Sequence, residues 1–215
     1  SHVFRRAVEA NIGEVYVATE DQEIADDIRL NGGQSILTSK THKTGTDRIY
    51  EALQKLDYKN VDLVMNLQGD EPLMNIEDIR NLNNQMIKCQ SQLGTLASMI
   101  KDKVLYENSN IVKVNTKEQL DNLNFPEATN FTRKCLEQTQ NIYHHLGIYC
   151  YKKETLKDFV SYHQSPNEVK HRLEQLRALD NNIRINVALA KSSPIGVDTE
   201  EDFVAIKKIM EYKSK

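Results

Sequence analysis

The chain has 215 residues, of which 27% are charged and 39% hydrophobic, and its formal net charge is −3. This composition is typical of a soluble globular domain and excludes a disordered or collagen-like chain. The slightly acidic charge disfavours nucleic acid as a partner, and no apolar run approaches the ~20 residues that cross a membrane, so membrane insertion is not expected either.

The first hundred residues alternate between helix and strand. Apolar residues at helical spacing predict helices over residues 1–10, 22–30, 45–56 and 76–89. Runs of apolar and β-branched residues predict strands over residues 15–19, 35–37, 63–67 and 93–100. This alternation is that of a doubly wound parallel sheet, so we expect an α/β fold.

After residue 100 the pattern changes to short strand-like pieces in irregular, Asn-rich sequence. Strands are predicted over residues 111–115, 128–131, 144–151 and 183–189, and helices over 153–162, 168–180 and 199–210. Ser165 and Pro166 separate the first two of these helices. The extra strands suggest an arm that pairs with a second subunit. Because there is no internal repeat or low-complexity linker, we expect residues 1–215 to form a single domain.

Leu63–Pro72 combines a short apolar run with a turn that carries two carboxylates. The run is too short for a helix and is consistent with a strand buried on both faces. Asp70 and Glu71 follow it, just beyond the carboxyl end of the strand, where open α/β sheets bind ligands. A carboxylate in this position can hold Mg²⁺. The alternative is an ordinary polar turn in which Asp70 caps the next helix, and this segment alone slightly favours it.

Two further loops lie where helices are predicted to begin. Thr44–Arg48 contains a glycine, and free backbone N–H groups at such a position bind anions or nucleotide edges. The alternative there is an ordinary helix cap formed by a threonine. Asp198, between the last strand and the last helix, can supply a second carboxylate to the metal. Its alternative is an N-cap that forms a near capping box with Glu201.

Strand alternation places His145, Gly147, Tyr149 and Tyr151 on one face of a predicted strand. An imidazole, a bare backbone and two phenols suit a hydroxyl-rich ligand. A half-exposed strand whose polar groups are satisfied by neighbours explains the same pattern equally well.

Leucines recur at a three-residue spacing in the helix predicted over residues 168–180 and form an ordinary buried stripe: Leu173, Leu176 and Leu179. The polar residues between them are then expected to lie at its solvated edge: Glu174, Gln175 and Arg177.

The three cysteines, Cys89, Cys135 and Cys150, have no metal-type spacing, and one of them would remain unpaired in any disulfide scheme. The N-terminus lacks the charged, apolar and small-residue order of a signal peptide. We therefore expect reduced thiols and a cytoplasmic location.

Five segments in this order resemble the 3-deoxy-manno-octulosonate (Kdo) cytidylyltransferases, the CMP-Kdo synthetases of Gram-negative bacteria: residues 44–48, 66–72, 145–151, 174–179 and 196–202. The resemblance implies a Rossmann-like mixed, mainly parallel sheet flanked by helices, of the nucleotide-diphospho-sugar transferase type. A small strand-rich part would help to form a homodimer. The implied reaction transfers CMP from CTP to Kdo and releases pyrophosphate, for lipopolysaccharide assembly, with Mg²⁺ as cofactor.

The resemblance also implies roles for individual residues, in three groups. The magnesium-binding, catalytic acids are Asp70 and Asp198. The residues on the nucleotide side are Thr44, Gly45, Thr46, Arg48 and Gln68. The residues on the sugar-acid side are Arg133, His145, Tyr149, Glu174 and Gln175.

This chain departs from the family pattern at two places. Family members begin with a strand and a glycine-, arginine- and lysine-containing loop that holds the triphosphate, whereas this sequence starts on the following helix. The stretch from Arg133 to Tyr143 also looks shorter than its counterpart. Two alternatives therefore stay open: a cytidylyltransferase for another sugar acid, such as 8-amino-Kdo or a sialic acid, and a non-catalytic dimeric binding protein.

Overall fold

The computed structural model describes residues 2–57, 60–100, 102–134, 140–193, 196, 200 and 204–208. The helices in these ranges are α1 (His2–Ala10), α2 (Gln22–Leu30), α3 (Gly45–Leu56), α4 (Ile76–Cys89), α5 (Lys103–Glu107), α6 (Lys153–Ser161), α7 (Pro166–His171) and α8 (Leu176–Asp180). The strands are β1 (Tyr16–Thr19), β2 (Gln34–Leu37), β3 (Leu63–Leu67), β4 (Leu93–Ser98), β5 (Lys113–Thr116), β6 (Ala128–Thr132), β7 (Ile142–Lys152) and β8 (Ile185–Leu189). Residues 204–208 are also helical.

The long strand β7 organises the main sheet. It is hydrogen-bonded along one edge to β4, and along the other edge to β5 near its start and to β3 near its end. β8 extends the sheet beyond β4 as a parallel neighbour, and β6 extends it beyond β5. β3, β4, β5 and β8 therefore run in one direction with β7 opposed to them. This is the mixed sheet that the resemblance implies, and most of its strands run in one direction, although β4–β8 is the one parallel ladder among its described strands.

β1 and β2 form a second, parallel pair, in register from Tyr16 opposite Gln34 to Thr19 opposite Leu37. Within the described ranges this pair is not hydrogen-bonded to the main sheet. Helix α3 contacts β1, β2 and β3, so it joins the two sheets. The doubly wound sheet predicted from the alternation is thus present as two sheets connected by a helix.

Helices cover both faces of the main sheet. On one face, an apolar cluster that includes Phe159 and Leu176 packs α6 and α8 against β4, β7 and β8. On the other face, Leu82 and Met86 of α4 pack against the opposite side of the same strands. The sheet is therefore the middle of three layers, which accounts for the completely buried β4. Across the described ranges, every helix is too short or too polar to reach through a lipid bilayer.

The predicted bounds of α3 and α4 are confirmed, but two other expectations are wrong. The helix predicted over residues 168–180 is two short helices, because Arg172 ends α7 in the left-handed conformation at φ 53°. Strand β3 is not buried on both faces: Asn66 is buried and its four neighbours are half-buried. The reason is that the β1–β2 pair does not extend the main sheet beyond β3. The five-residue helix α5 was not predicted.

Strand β7 is irregular where it faces β4. Thr95 lies opposite Tyr149, whereas the next residue of β4, Leu96, lies opposite Leu146. The stretch of β7 between these two pairs, which contains Gly147, has no matching residues in β4. Such a bulge bends a strand and increases its twist. It also directs the Gly147 backbone away from the β4 ladder and towards the turn after β3.

A buried carboxylate on α4 holds the segment that follows β8. Asp78 is 1% exposed and accepts hydrogen bonds from the backbone N–H groups of Lys191 and Ser192, at 2.9 and 3.2 Å. The Ser192 hydroxyl donates to the same carboxylate at 2.8 Å. The Asn81 side chain, one turn further along α4, donates to the carbonyl of Leu189 at 3.1 Å. Helix α4 therefore fixes where the chain leaves the sheet.

Replacing Asp78 should destabilise the protein more than replacing any neighbouring charged residue. Asp78→Ala is expected to lower the free energy of unfolding by about 2–3 kcal/mol, because two backbone donors lose a charged, buried acceptor. The matched control is Glu77→Ala, since Glu77 forms an exposed ion pair with Arg80 that is worth about 0–1 kcal/mol. Urea denaturation of both variants measures the difference, and equal midpoints would contradict this account of Asp78.

Candidate active site

The turn after β3 presents an acidic side chain to solvent. Its backbone closes with a hydrogen bond from the Glu71 N–H to the Gln68 carbonyl at 3.3 Å, and Asp70 is exposed. Helix α4 is capped by Asn75, whose side chain accepts from the N–H of Glu77. The alternative in which Asp70 caps this helix is therefore wrong.

Glu71 brings three parts of the chain together at this turn. Its Oε1 accepts a hydrogen bond from the N–H of Gly147 in the β7 bulge, at 3.4 Å. A Cβ at Gly196 would lie 3.7 Å from the same oxygen and 3.6 Å from the carbonyl oxygen of Asp70. Gly196, two residues before Asp198, therefore lies directly beside the Asp70 turn. Asp198 itself lies outside the described residues, so its meeting with Asp70 stays a prediction.

Hydrogen-bond donors converge in front of the first turn of α3. Thr44 caps this helix by accepting from the N–H of Asp47 at 3.3 Å, so the predicted cap is present. Gly45 is exposed, and a Cβ there would lie 3.7 Å from Nδ2 of Asn66 and 4.0 Å from Nε2 of Gln68. The Asn66 side chain is buried, and its Nδ2 has no hydrogen-bond partner among the described residues. A nucleotide acceptor atom at this helix start would satisfy that donor.

The polar face predicted for β7 is confirmed, and its rings form a row. The ring centroids of His145 and Tyr149 are 5.5 Å apart, and those of Tyr149 and Tyr151 are 6.2 Å apart. Nε2 of His145 lies 2.9 Å from the hydroxyl oxygen of Thr95. The Tyr149 hydroxyl donates to the side-chain oxygen of Gln175 at 3.2 Å. Each of the three rings is buried, and the polar atoms are held by neighbours rather than by solvent.

The Tyr149 hydroxyl lies close to several acidic groups. Burial raises the pKa of Tyr149 well above its usual range, and the charges of Tyr151, Glu174 and Asp70 act in the same direction. Burial is the largest of these causes, and the charge of Asp70 has the smallest effect.

The turn between α7 and α8 brings two polar side chains inward. Burial raises the pKa of the Glu174 carboxyl above its usual range, and hydrogen bonds from the hydroxyls of Thr46 and Thr44 partly oppose this shift. Oε1 of Glu174 is buried and has no partner within the described ranges. Gln175 is 5% exposed and bonds to Tyr149. The expectation that these residues form a solvated edge is wrong, because the helix break at Arg172 turns them towards the sheet.

The expectation of a solvated edge is most clearly wrong for Arg177, which is only 2% exposed. Its guanidinium makes two parallel hydrogen bonds to Glu168, at 2.8 and 2.6 Å, and a third to Oδ1 of Asp47 at 3.2 Å. It also lies over the ring of Phe159, 4.5 Å from the centroid. A charge at this depth is stable only when it is fully paired. No sequence signal identifies these partners, because Asp47 is 130 residues away along the chain.

Two predicted site residues, both arginines, lie apart from this network. Arg48 donates to the hydroxyl of Thr38 at 2.7 Å and pairs with the carboxylate of Glu20, so it ties α3 to the ends of β1 and β2. Arg133 is exposed after β6, and its guanidinium donates to the carbonyl of Asn110 at 2.8 Å. In the described part of the chain, no contact links Arg133 to the other sugar-side residues.

The other described candidates are connected. Nε2 of Gln68 lies 4.0 Å from the position a Cβ of Gly45 would take, and the Thr46 hydroxyl lies 3.2 Å from that of Tyr151. The row of rings on β7 leads through Tyr149 to Gln175, in the turn between α7 and α8. No three His, Cys, Asp or Glu side chains come close enough to hold a metal in the part of the chain described. The exposed side chain of Asp70 carries carboxylate oxygens, which are the ligands that Mg²⁺ prefers. The donor chemistry at this turn therefore fits a hard divalent cation.

Comparison with known proteins gives consistent matches over almost the whole chain. A family model described as cytidylyltransferase matches residues 1–185. The 3-deoxy-manno-octulosonate cytidylyltransferase of Afipia carboxidovorans is 39% identical over 98% of this chain and 85% of its own length. That of Rhodopseudomonas palustris strain BisB5 is 39% identical over 98% and 86%. A structure of CMP:2-keto-3-deoxy-manno-octonic acid synthetase complexed with CTP has a TM-score of 0.87 and 29% identity, and covers 99% of this chain and 87% of that one.

The Gly45→Ala variant tests whether the start of α3 binds the nucleotide or is only an ordinary helix cap. An added Cβ has room, and alanine favours a helix over glycine, so thermal stability should be unchanged or slightly higher. The methyl group would nevertheless stand in front of Asn66, so affinity for CTP should fall about ten-fold, equivalent to about 1.4 kcal/mol. Gly13→Ala, an exposed position with nothing near its Cβ, is the control. Unchanged CTP affinity in calorimetry would support the ordinary cap.

Because two histidines are buried, the free energy of unfolding should fall as the pH drops below 6.5. Burial lowers the pKa of His145 to about 3 and that of His144 to about 4. Because the unfolded chain takes up protons at a higher pH than the folded one, the full contribution to stability is present above pH 6.5 and is lost as the pH falls towards the folded values. Each histidine contributes a slope of about 1.4 kcal/mol per pH unit.

Chemical denaturation between pH 6.5 and 5 measures this slope. His145→Gln retains a polar partner for Thr95 but removes one titrating group, so its stability should depend less steeply on pH than that of the unmodified protein. Parallel curves for the two proteins would show that His145 is not the buried neutral group described above.

Proposed function

The chain belongs to the 3-deoxy-manno-octulosonate cytidylyltransferase family, and on that premise we propose that it transfers CMP from CTP to 3-deoxy-D-manno-octulosonate (Kdo), releasing pyrophosphate. The relatives carry this activity in their names, and the similar solved structure was obtained with CTP. The match extends over both halves of the chain, so it includes the nucleotide-side and the sugar-side segments.

The observation that best supports this function is the direct contact between those two segments. The hydroxyl oxygens of Tyr151, on β7, and Thr46 are 3.2 Å apart, and the hydroxyls of Thr44 and Thr46 act to lower the pKa of the Glu174 carboxyl. A nucleotide at the start of α3 and a sugar acid beside Tyr149 and Gln175 would therefore occupy adjacent spaces. A transferase that joins two substrates needs this adjacency, whereas a protein that binds one ligand does not.

The reaction requires positioning more than covalent chemistry. The anomeric hydroxyl oxygen of Kdo forms a bond to the α-phosphorus of CTP as the bond to the pyrophosphate oxygen breaks, and the hydroxyl proton is released. In such transfers the protein mainly aligns the two oxygens and stabilises the charge. On this reading the start of α3, with Gly45 and Gln68, holds the nucleotide. The neutral side chains of His145, Tyr149 and Gln175 orient the hydroxyl groups of the sugar.

We assign a magnesium site to Asp70 and Asp198, with Mg²⁺ as the cofactor. The exposed carboxylate of Asp70 and the passage of Gly196 beside the Asp70 turn support this assignment. When bound, the ion would neutralise phosphate charge and the carboxylate charge of the sugar acid. Arg133 is proposed to add a second positive charge on the sugar side, since a guanidinium matches a carboxylate.

The finer assignments follow from the same proposal. The product, an activated sugar acid, fits lipopolysaccharide assembly, and CTP as donor fits a cytoplasmic enzyme. The segment from Lys103 to Thr132, which lies outside the helix–strand alternation, exposes large apolar side chains such as Val104 and Leu123. Contact with a second copy would cover such side chains, and this supports a homodimer formed through the strand-rich part.

The decisive experiment measures pyrophosphate release with CTP, Mg²⁺ and a panel of acceptors. Release should require both Kdo and Mg²⁺, and Asp70→Asn should reduce it at least about a hundred-fold while the melting temperature stays close to that of the unmodified protein. Asp62→Asn is the matched control, since Asp62 is exposed just before β3, at its opposite end.

Each unfavourable outcome has a distinct meaning. Faster turnover of a sialic acid or 8-amino-Kdo would change the acceptor but keep the chemistry. Turnover that persists after chelation of the metal would contradict the magnesium site. Absence of both CTP binding and turnover would favour the non-catalytic dimeric binding protein, whereas tight binding of CTP would count against it.

A further inference from the structure

We propose that Arg177 is a positioning residue that fixes the spacing between the nucleotide-side loop and the sugar-side turn through its ion pairs with Asp47 and Glu168. The nucleotide-side loop is defined as residues 44–47, and the sugar-side turn as residues 173–175. The inference rests on the function proposed above and extends it to a residue that contacts neither substrate.

The first step is the depth and completeness of the pairing. Arg177 is 2% exposed, and Glu168, which makes two hydrogen bonds to it, is 3% exposed. Ser165 and Glu168 also form a capping box at the start of α7, so the carboxylate of Glu168 has little freedom. A planar guanidinium held at two points by a fixed carboxylate, over the Phe159 ring, has a defined orientation.

The second step is the connection to the nucleotide side. The remaining arm of the guanidinium donates to Oδ1 of Asp47 at 3.2 Å. The other carboxylate oxygen of Asp47 accepts from the hydroxyl of Thr44 at 2.9 Å. Asp47 is the first-turn acid of α3, and Thr44 is its N-cap. A continuous chain of hydrogen bonds therefore runs from α7 through Arg177 to the start of α3.

The third step is the connection to the sugar side. The backbone N–H of Arg177 donates to the carbonyl of Glu174 at 3.0 Å, and that of Leu176 donates to the carbonyl of Leu173 at 3.1 Å. These short-range bonds make the sugar-side turn and the first residues of α8 one rigid unit. Because the guanidinium at one end of this unit holds Asp47, the position of Glu174 and Gln175 relative to α3 depends on it.

These contacts predict a kinetic effect that differs from a loss of stability. Asp47 is 24% exposed in its side chain, so its bond to Arg177 is partly screened by solvent and contributes modestly to stability. Reactive groups displaced by about an ångström nevertheless lose up to about a hundred-fold in rate. The Arg177–Asp47 bond should therefore affect transfer more than it affects folding or the binding of one substrate.

Asp47→Asn tests this, with Asp180→Asn as the matched control. Asparagine can still accept from Thr44 but carries no charge for Arg177. Asp180 lies on α8 like Arg177, is exposed, and bonds to Asn167 rather than to α3. The measurements are kcat with both substrates saturating, the dissociation constant of CTP with Mg²⁺ in the absence of Kdo, and the melting temperature.

For Asp47→Asn we expect kcat to fall about ten-fold, with CTP affinity within about two-fold of the unmodified protein and a small change in melting temperature. Asp180→Asn should match the unmodified protein in all three. Arg177→Lys keeps the charge but loses the planar fork. If this variant folds, its kcat should lie between those of Asp47→Asn and Asp180→Asn.

The remaining outcomes separate the inference from the function it rests on. Equal kcat for Asp47→Asn and Asp180→Asn, in an active enzyme, would overturn the inference alone. A parallel loss of CTP affinity in Asp47→Asn would also overturn it, because Asp47 would then act within the nucleotide side. Failure of the unmodified chain to transfer CMP to Kdo would overturn the proposed function and the inference together.

Discussion

Strand β7 is the constraint on which the arrangement of the molecule depends. It pairs with β4 on one edge and with β5 and β3 on the other, so the central ladders converge on it. The bulge that contains Gly147 bends it at the point where β3 ends, which brings a backbone N–H to Glu71. Beyond the bulge, Tyr149 and Tyr151 face α3 and α8. This one strand, antiparallel to β3, β4 and β5, thus connects the Asp70 turn with the start of α3 and with the turn between α7 and α8.

The interior beside this strand is polar, which is costly unless every group has a partner. Most of these groups are paired within the protein: His145 with Thr95, Tyr149 with Gln175, and Arg177 with its two carboxylates. Nδ2 of Asn66, Oε1 of Glu174 and Oγ of Ser98 lack partners among the described residues. The first two belong to side chains that border the proposed substrate space, where a ligand can satisfy them. The polar core therefore holds the site in shape while it keeps donor and acceptor capacity for substrates.

Local patterns predicted the elements well because their causes are local. The bounds of α3 and α4 follow from capping residues and apolar periodicity, and the common face of His145, Tyr149 and Tyr151 follows from strand alternation. The same patterns failed where distant contacts decide. Periodicity placed Arg177 on a solvated edge, but Asp47 and Glu168 make its burial favourable. The helix break at Arg172 likewise could not be predicted, because no glycine marks it in the sequence. The family resemblance, carried by segment order, instead implies that Glu174 and Gln175 belong to the site, and this stays a prediction.

The excess of acidic side chains at the proposed site explains why we assign a divalent cation to it. Asp70 and Glu71 lie in the turn after β3 and Glu174 in the turn between α7 and α8, so both turns assigned to the proposed site carry acidic side chains. The arginines of the adjoining elements do not offset this, because Arg48 is paired with Glu20 and Arg177 with two carboxylates. Two anions entering an acidic site repel the protein and each other unless positive charge enters with them. In the proposed site, Mg²⁺ would supply this positive charge in a compact form that oxygen ligands can hold, so the acidic side chains would favour substrate binding through the ion.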